Sequence, residues 1–521
     1  MVNPLQPASL SQARRADGPV STPAPPSAPP SAPEPRDILI SRNVQDETVF
    51  PATQETLHNV TVNGGQLSDA KVELNATLNP AKDGTYVFPQ SDQADQTAAL
   101  VFSATTDTIH SFEAHGIPIN YNSPDGKLQT TPDEGQDFNA FYSRDPQPGT
   151  HFFDGLDTKT NQKIMSGASG EVVSHETGHS ILDTLRPAYL SSYTPDVAAF
   201  HEAWGDWCGL LKSFDDPRTI DLVAKQTGGD LSKPNAIAYT GEELGKAIND
   251  VEGKNVTGGP YVRDAINNFT WIDPNTLPGD APPDQLSSEA HSFSRLWTGS
   301  MYEILEKIEQ RNMAACNGDA KAALQATGAQ AWSITKNLIS FMPQGDFTYA
   351  DMAKALIASD KADNGGKNAD IMQSVMSARG ILRPAASTPA PPPTSAPPTN
   401  GGSVFEMASM KSMTADGPKP LSDLVRPVTT RLSGERFGMF SGAVVSTLVD
   451  KDGSLAQDAE TTQRLKDSVA NLIAQGRIRY NDPTYKMKMP QDYFDAKGRP
   501  YVGYVRWEGD QMVLERSKVL D

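Results

Sequence analysis

The sequence predicts an α+β protein with a β-rich N-terminal lobe, a helical lobe after it, and a smaller α+β module at the C-terminal end. Three observations carry that expectation. Residues 37–165 show short apolar alternations broken by Asn, Gly and Asp, the pattern of strands and turns. From about 168 to 380 the apolar positions recur at helical spacing. Two Pro-rich tracts that share a TPAPP element, at 19–35 and 383–402, read as extended spacers that mark off the units.

The elements follow in order. TYVF at 85–88 reads as a strand, and QTAALVFSATTDTIHSFE, from Gln96 to Glu113, as a helix within the β-rich lobe. GEVVSHETGHSILDTLRP starts a helix after a Ser169 N-cap and must stop before Pro187. Thr194-Pro195-Asp196 opens the next with a cap, a first-turn proline and an acid at the positive end of the helix dipole. It continues as VAAFHEAWGDWCGLL, and SFSRLWTGSMYEIL reads as a later apolar-faced helix. Beyond the second spacer, residues 458–477 place Leu465, Val469, Leu472 and Ile473 on one helical stripe, while YVGYVRW, EGD and QMVLER read as strand, turn and strand. The expected organisation is a Pro-rich segment at 1–36, a body at 37–383 with lobes at 37–165 and 166–383, a linker at 384–402 and an accessory module at 403–521.

Composition narrows the function classes. The chain of 521 residues is too long for one ordinary core, and its formal charge of −19 argues against a non-specific nucleic-acid binder, which needs clustered cations. That acidity is uneven: residues 401–521 carry 17 basic and 16 acidic side chains, the first 400 residues 28 and 48. Two cysteines, Cys208 and Cys316, provide neither a disulfide framework nor a Cys-rich zinc site. No stretch approaches the roughly 20 apolar residues of a membrane span. The first twenty residues hold two arginines and no apolar run of the kind an export signal carries.

The informative run is His175-Glu176-Thr177-Gly178-His179, an H-E-x-x-H. On a helix the i and i+4 imidazoles share a face and can grip one metal ion, with the intervening glutamate at its open side. A zinc hydrolase needs a third protein ligand and groups that orient the imidazoles. The next predicted helix offers both, because Glu202 and Asp206 lie four apart on one face. Glu202 completes a His-His-Glu set, and Asp206 can accept the remaining N–H of a liganding imidazole.

HETGH followed by HEAWGD resembles the thermolysin-type gluzincin metallopeptidases, with an E-x-W-x-D character closer to fungalysins. The resemblance spans about 139–383 and implies a two-lobed peptidase with its zinc site in the cleft. It implies one catalytic zinc on His175, His179 and Glu202, Glu176 as general base, and cleavage of internal peptide bonds of polypeptide substrates before apolar residues. Asn139 and Ala140 resemble the edge strand that binds the substrate backbone. Tyr193, with Tyr189 as a nearby rival, matches the tyrosine that helps hold the oxyanion. Arg263 and, 28 residues on, His291 match the arginine and histidine of the reaction centre. Val172 and Val262 would line the pocket for the residue after the cleaved bond.

Several positions depart from that pattern. His201 stands where the family has asparagine before the third ligand, and Leu286 where an aspartate precedes the catalytic histidine, leaving Asp284 or Glu289 to replace it. Glu171 matches one calcium-site acid, but Ser213 occupies the position of another, so calcium is not expected with the same force as zinc. The family is mostly secreted, which sets the resemblance against the N-terminal sequence. A catalytically silent binding protein and a zinc aminopeptidase are the competing readings; the module at 403–521 suits targeting, docking or delivery to a partner.

Overall fold

The computed structural model describes residues 34–382 apart from 90–91, 145–146, 193 and 279–280, and beyond them only the backbone of seven short strands. The N-terminal part is built on one mixed sheet. Its strands are β1 (Arg36–Arg42), β2 (Thr53–Asn63), β3 (Gln66–Ser68), β4 (Val72–Leu74), β5 (Leu128–Thr131), β6 (Ala140–Ser143) and β7 (Gly149–Phe152). Their order is β1-β2-β3-β4-β5-β7-β6. β2 turns into β3 through Gly64 and Gly65, at φ 60° and 92°, which suits a two-residue hairpin turn. A Cβ at Gly65 would fall 2.5 Å from the Leu78 carbonyl oxygen. The pairs β4–β5 and β5–β7 are parallel, and β6 returns antiparallel beside β7.

The TYVF segment does not form the strand expected of it. Tyr86 makes a single bridge to Ile40, accepting from Ser41 and donating to Leu39, between a turn at Gly84 and Pro89, which has no N–H to continue a ladder. The expected helix is present as α1 (Gln93–Ala114). Buried on most of its positions between Gln96 and Phe112, with His110 exposed, it joins the sheet to the helical part: Ser103 donates to the Ser41 carbonyl at 2.8 Å, and the Thr108 hydroxyl meets that of Ser174 at 3.0 Å.

After a small hairpin, β8 (Asp154–Asp157) and β9 (Gln162–Met165), the chain becomes helical: α2 (Gly170–Leu185), α3 (Pro195–Asp215), α4 (Pro217–Thr227), α5 (Glu242–Glu252), α6 (Ala290–Ala315), α7 (Ala320–Phe341), α8 (Tyr349–Asp363) and α9 (Ala369–Ala378). The paired strands β10 (Tyr239–Thr240) and β11 (Arg263–Asp264) interrupt this series. Trp204, Trp207 and Cys208 belong to the main core, as their helical spacing implies, and Trp207 donates to the Thr335 hydroxyl at 2.8 Å. Among the described residues no helix is long and apolar enough to cross a membrane.

In the C-terminal part, strands Gly503–Glu508 and Gln511–Arg516 pair antiparallel within a four-stranded sheet, where strand, turn and strand were expected. The expected helix at 458–477 lies outside the described residues. A short strand, Arg436–Gly438, pairs antiparallel with β6, Phe437 opposite Tyr142.

Candidate metal centre

The site is made where α2 and α3 cross. Ser169 caps α2, its hydroxyl accepting from Val172 N, and the helix ends before Pro187 as expected. The crossing is close because both helices present glycine to it. A Cβ on Gly178 would lie 2.8 Å from Cys208 Sγ, and one on Gly205 would lie 2.7 Å from the His175 ring. This approach sets the two imidazoles of α2 against the carboxylates of α3.

His175, Glu176 and His179 form a fully buried group whose potential ligand atoms lie within 4.8 Å of one another. Glu202 faces both imidazoles: Oε2 is 3.5 Å from His175 Nε2 and Oε1 is 3.7 Å from His179 Nε2. Three donors about 2.0–2.1 Å from a tetrahedral zinc would stand roughly 3.3–3.4 Å apart. The donor set therefore fits a small divalent cation with only slight contraction. Both Glu176 oxygens and Glu202 Oε1 are buried without a hydrogen-bond partner among the described residues, a costly arrangement that a cation and its water would relieve.

Electrostatics reinforce the grouping. Burial works against a charged His175, but the adjacent carboxylates of Asp206 and Glu202 outweigh it and push the imidazole up to about 9. A metal ion must displace that proton. His179 is driven well below the usual histidine range by burial and by neighbouring cationic groups, His175 first. Burial pushes the Glu176 carboxyl up to about 8 against the opposing pull of His175.

Around these residues lies a set of orienting groups. Asp206 Oδ1 is 3.1 Å from His175 Nδ1, where the spacing along α3 placed it, and Asp206 Oδ2 accepts from the Thr298 hydroxyl at 2.8 Å. Arg263, on β11, donates to Glu202 Oε2 at 2.9 Å and to Asp206 Oδ1 at 3.2 Å. Its guanidinium is thus bound to the carboxylates of α3. His291 Nε2 lies 3.3 Å from Glu202 Oε2, and its Nδ1 is 2.5 Å from Glu289 Oε1. Of the two acids the sequence left as partners for His291, the structure selects Glu289, which also caps α6 by accepting from Ser292 N. Burial opposes a charged Glu289, but His291 holds its carboxyl down to about 2.

The remaining candidates divide. Tyr193 lies outside the described residues. Tyr189, its rival, is a core residue that donates to the Pro343 carbonyl at 2.6 Å and packs on Phe347. Asn139 precedes β6, where its side chain accepts from Ala140 N at 3.0 Å. Ala140, Val172 and Val262 pack in one cluster with Val173 and Leu244. Leu286 is buried in the main core. Ser213 donates to the amide oxygen of Gln45 at 2.8 Å, and the same amide donates to Glu171 at 3.1 Å. Glu171 itself is a buried acid held by the Ser169 hydroxyl. The other histidines serve locally: His110 pairs with Asp69, His151 with Glu134 and His58 with Asp37, and His115 stacks on Trp332.

Sequence reasoning missed two contributors. Gly205 was only a letter within HEAWGD, and His201 was read as a lost asparagine. Yet His201 Nδ1 stands 2.8 Å from His179 Nδ1. Its position directly before Glu202 was the available signal.

No protein-family model and no curated protein matches the chain. Among solved structures it is similar to the precursor of protealysin, a metalloproteinase from Serratia proteamaculans, with 15% sequence identity and a TM-score of 0.35 over 56% of this chain and 79% of that one. A likeness of that extent assigns no activity.

Proposed function

We propose that the chain is a zinc-dependent metalloendopeptidase. The observation that carries this reading is the buried set of His175, His179 and Glu202 with donors 3.5 and 3.7 Å apart, beside the unbonded carboxylate of Glu176. Two imidazoles and one carboxylate suit zinc with one position left open. The ion, when bound, supplies Lewis acidity and lowers the pKa of its water to about 7.

The residues then divide the work. Glu176 accepts the proton of the attacking water and delivers it to the leaving amine nitrogen. His291, oriented by Glu289, donates from Nε2 toward the carbonyl oxygen as that oxygen gains charge. Arg263 holds Glu202 and Asp206 in place; it and Tyr193 are the other proposed donors to that oxygen. Asp206 orients His175. β6 is not a free edge, since Arg436–Gly438 pairs with it from Phe141 to Ser143; Asn139 and Ala140, just before that pairing, would hydrogen-bond the substrate backbone, and Val172 and Val262 would favour an apolar residue after the cleaved bond. Residues 403–521 are proposed as a docking or targeting module, so cutting the chain near Asn400 should leave cleavage of a short peptide close to that of the full chain.

The test combines metal analysis with Glu176→Gln. One zinc per chain, retained in the variant while turnover of an end-blocked peptide falls by orders of magnitude, supports the reading. Well under one zinc after reconstitution overturns it. Hydrolysis of free-N-terminus peptides alone would favour an aminopeptidase, and zinc binding without hydrolysis a binding protein.

A further inference from the structure

His179 and His201 form a hydrogen bond between two imidazoles, Nδ1 to Nδ1 at 2.8 Å, with both side chains fully buried and the rings tilted by 33°. Only one of those nitrogens can carry the shared proton. If His179 offers Nε2 to a cation, its Nδ1 must be the donor, because a neutral imidazole has one N–H. His201 Nδ1 is then the acceptor, and the proton of His201 resides on Nε2.

We propose that His201 is a positioning residue whose Nδ1 accepts the Nδ1 proton of His179, so fixing the tautomer and ring angle that aim His179 Nε2 at Glu202 and the metal ion. The inference rests on the metal-site reading of His175, His179 and Glu202. It also completes a pattern within α3. That helix supplies one ligand, Glu202, and a partner for each imidazole of α2: Asp206, an ion-pair contact 3.1 Å from His175 Nδ1, and His201, 2.8 Å from His179 Nδ1. The two partners differ in charge. The carboxylate makes its imidazole more basic, whereas the uncharged ring of His201 fixes orientation without adding a second negative charge to a site that already holds Glu176 and Glu202.

The geometry also dictates which substitution preserves the function. Asparagine places Oδ1 the same number of bonds from Cβ as histidine places Nδ1, so His201→Asn retains an acceptor at that point. Phenylalanine keeps the ring and removes the acceptor.

The experiment has two readouts. Long-range ¹H–¹⁵N NMR of the metal-free full chain should show His179 protonated at Nδ1 and His201 at Nε2; the opposite tautomers overturn the proposal without any variant having to fold. Zinc affinity, measured by competition with a chelator, should fall about 10–100-fold in His201→Phe and return to within a few-fold of wild type in His201→Asn. Equal affinity in wild type and the Phe variant overturns the proposal. Failure of the wild-type chain to bind zinc at all would instead remove the metal-site reading, leaving the tautomer measurement to judge the hydrogen bond by itself.

Discussion

Gly205 presents bare backbone to the imidazole of His175: a Cβ added there would fall 2.7 Å from both Nδ1 and Cε1 of the ring. The absence of one side chain on α3 is therefore a condition for the ligand position on α2. Gly205→Ala must move the ring or part the helices, since real Cβ contacts are never that short. Alanine is otherwise the better helix former, by about 1 kcal/mol, so the variant should keep its helical circular dichroism. Its zinc content after dialysis should fall well below that of the wild type.

Glu289 has two duties, capping α6 and holding His291. Glutamine can still accept from Ser292 N, so Glu289→Gln separates charge from cap. Burial alone would lower the His291 pKa; Glu202 and Glu289 outweigh it and raise it. Removing one of those charges should move the His291 titration in NMR to lower pH. The variant should lose roughly 10–100-fold in kcat, as groups that orient reacting residues typically do, with little change in KM.

What the sequence revealed follows from which relations are local. His175 with His179, and Glu202 with Asp206, lie four apart on helices, and that spacing fixes a shared face whatever the tertiary structure. Arg263 and His291 come from distant elements and could be placed only through resemblance. Glu289 was one of two acids near His291, and only the course of the chain into α6 decided between them. The closeness of α2 and α3 at Gly178, Gly205 and Cys208 is a property of two helices together, invisible along either. TYVF did alternate in burial, with Tyr86 and Phe88 inside, but a strand also needs a partner along its length, and only Tyr86 found one.

Asp107 joins three elements: Oδ2 lies 2.9 Å from Arg42 Nη2 on β1 and 2.8 Å from Lys212 Nζ on α3. Burial opposes its charge, but Lys212 and Arg42 outweigh that and hold the carboxyl below its ordinary range. A carboxyl lowered on folding contributes stability that is fully present above the unfolded pKa of about 3.9 and is lost as pH falls through the folded value. Asp107→Asn should cost roughly 1.5–3 kcal/mol at pH 7. In urea melts the deficit should shrink toward zero as both proteins are taken to acid below that range.

The opposite sign is expected at Glu242. Beside it stand Glu171 and Asp46, and Asp46 accepts from Glu243 N at 2.7 Å to cap α5 from outside. Burial first, and Asp46 next, push the Glu242 carboxyl up to about 8. A carboxyl raised on folding contributes stability that is full below its unfolded pKa of about 4.3 and is lost as pH rises through the folded value. Glu242→Gln removes the charge and keeps a polar group, so its Tm in chelator-treated buffer should exceed that of wild type, by a margin that widens from pH 5 to pH 8. Calcium added back should close the gap if the three carboxylates hold the ion, since it would neutralise what the substitution removes. If wild type and variant instead melt together across that range, Glu242 is not forced toward its neutral form by its surroundings.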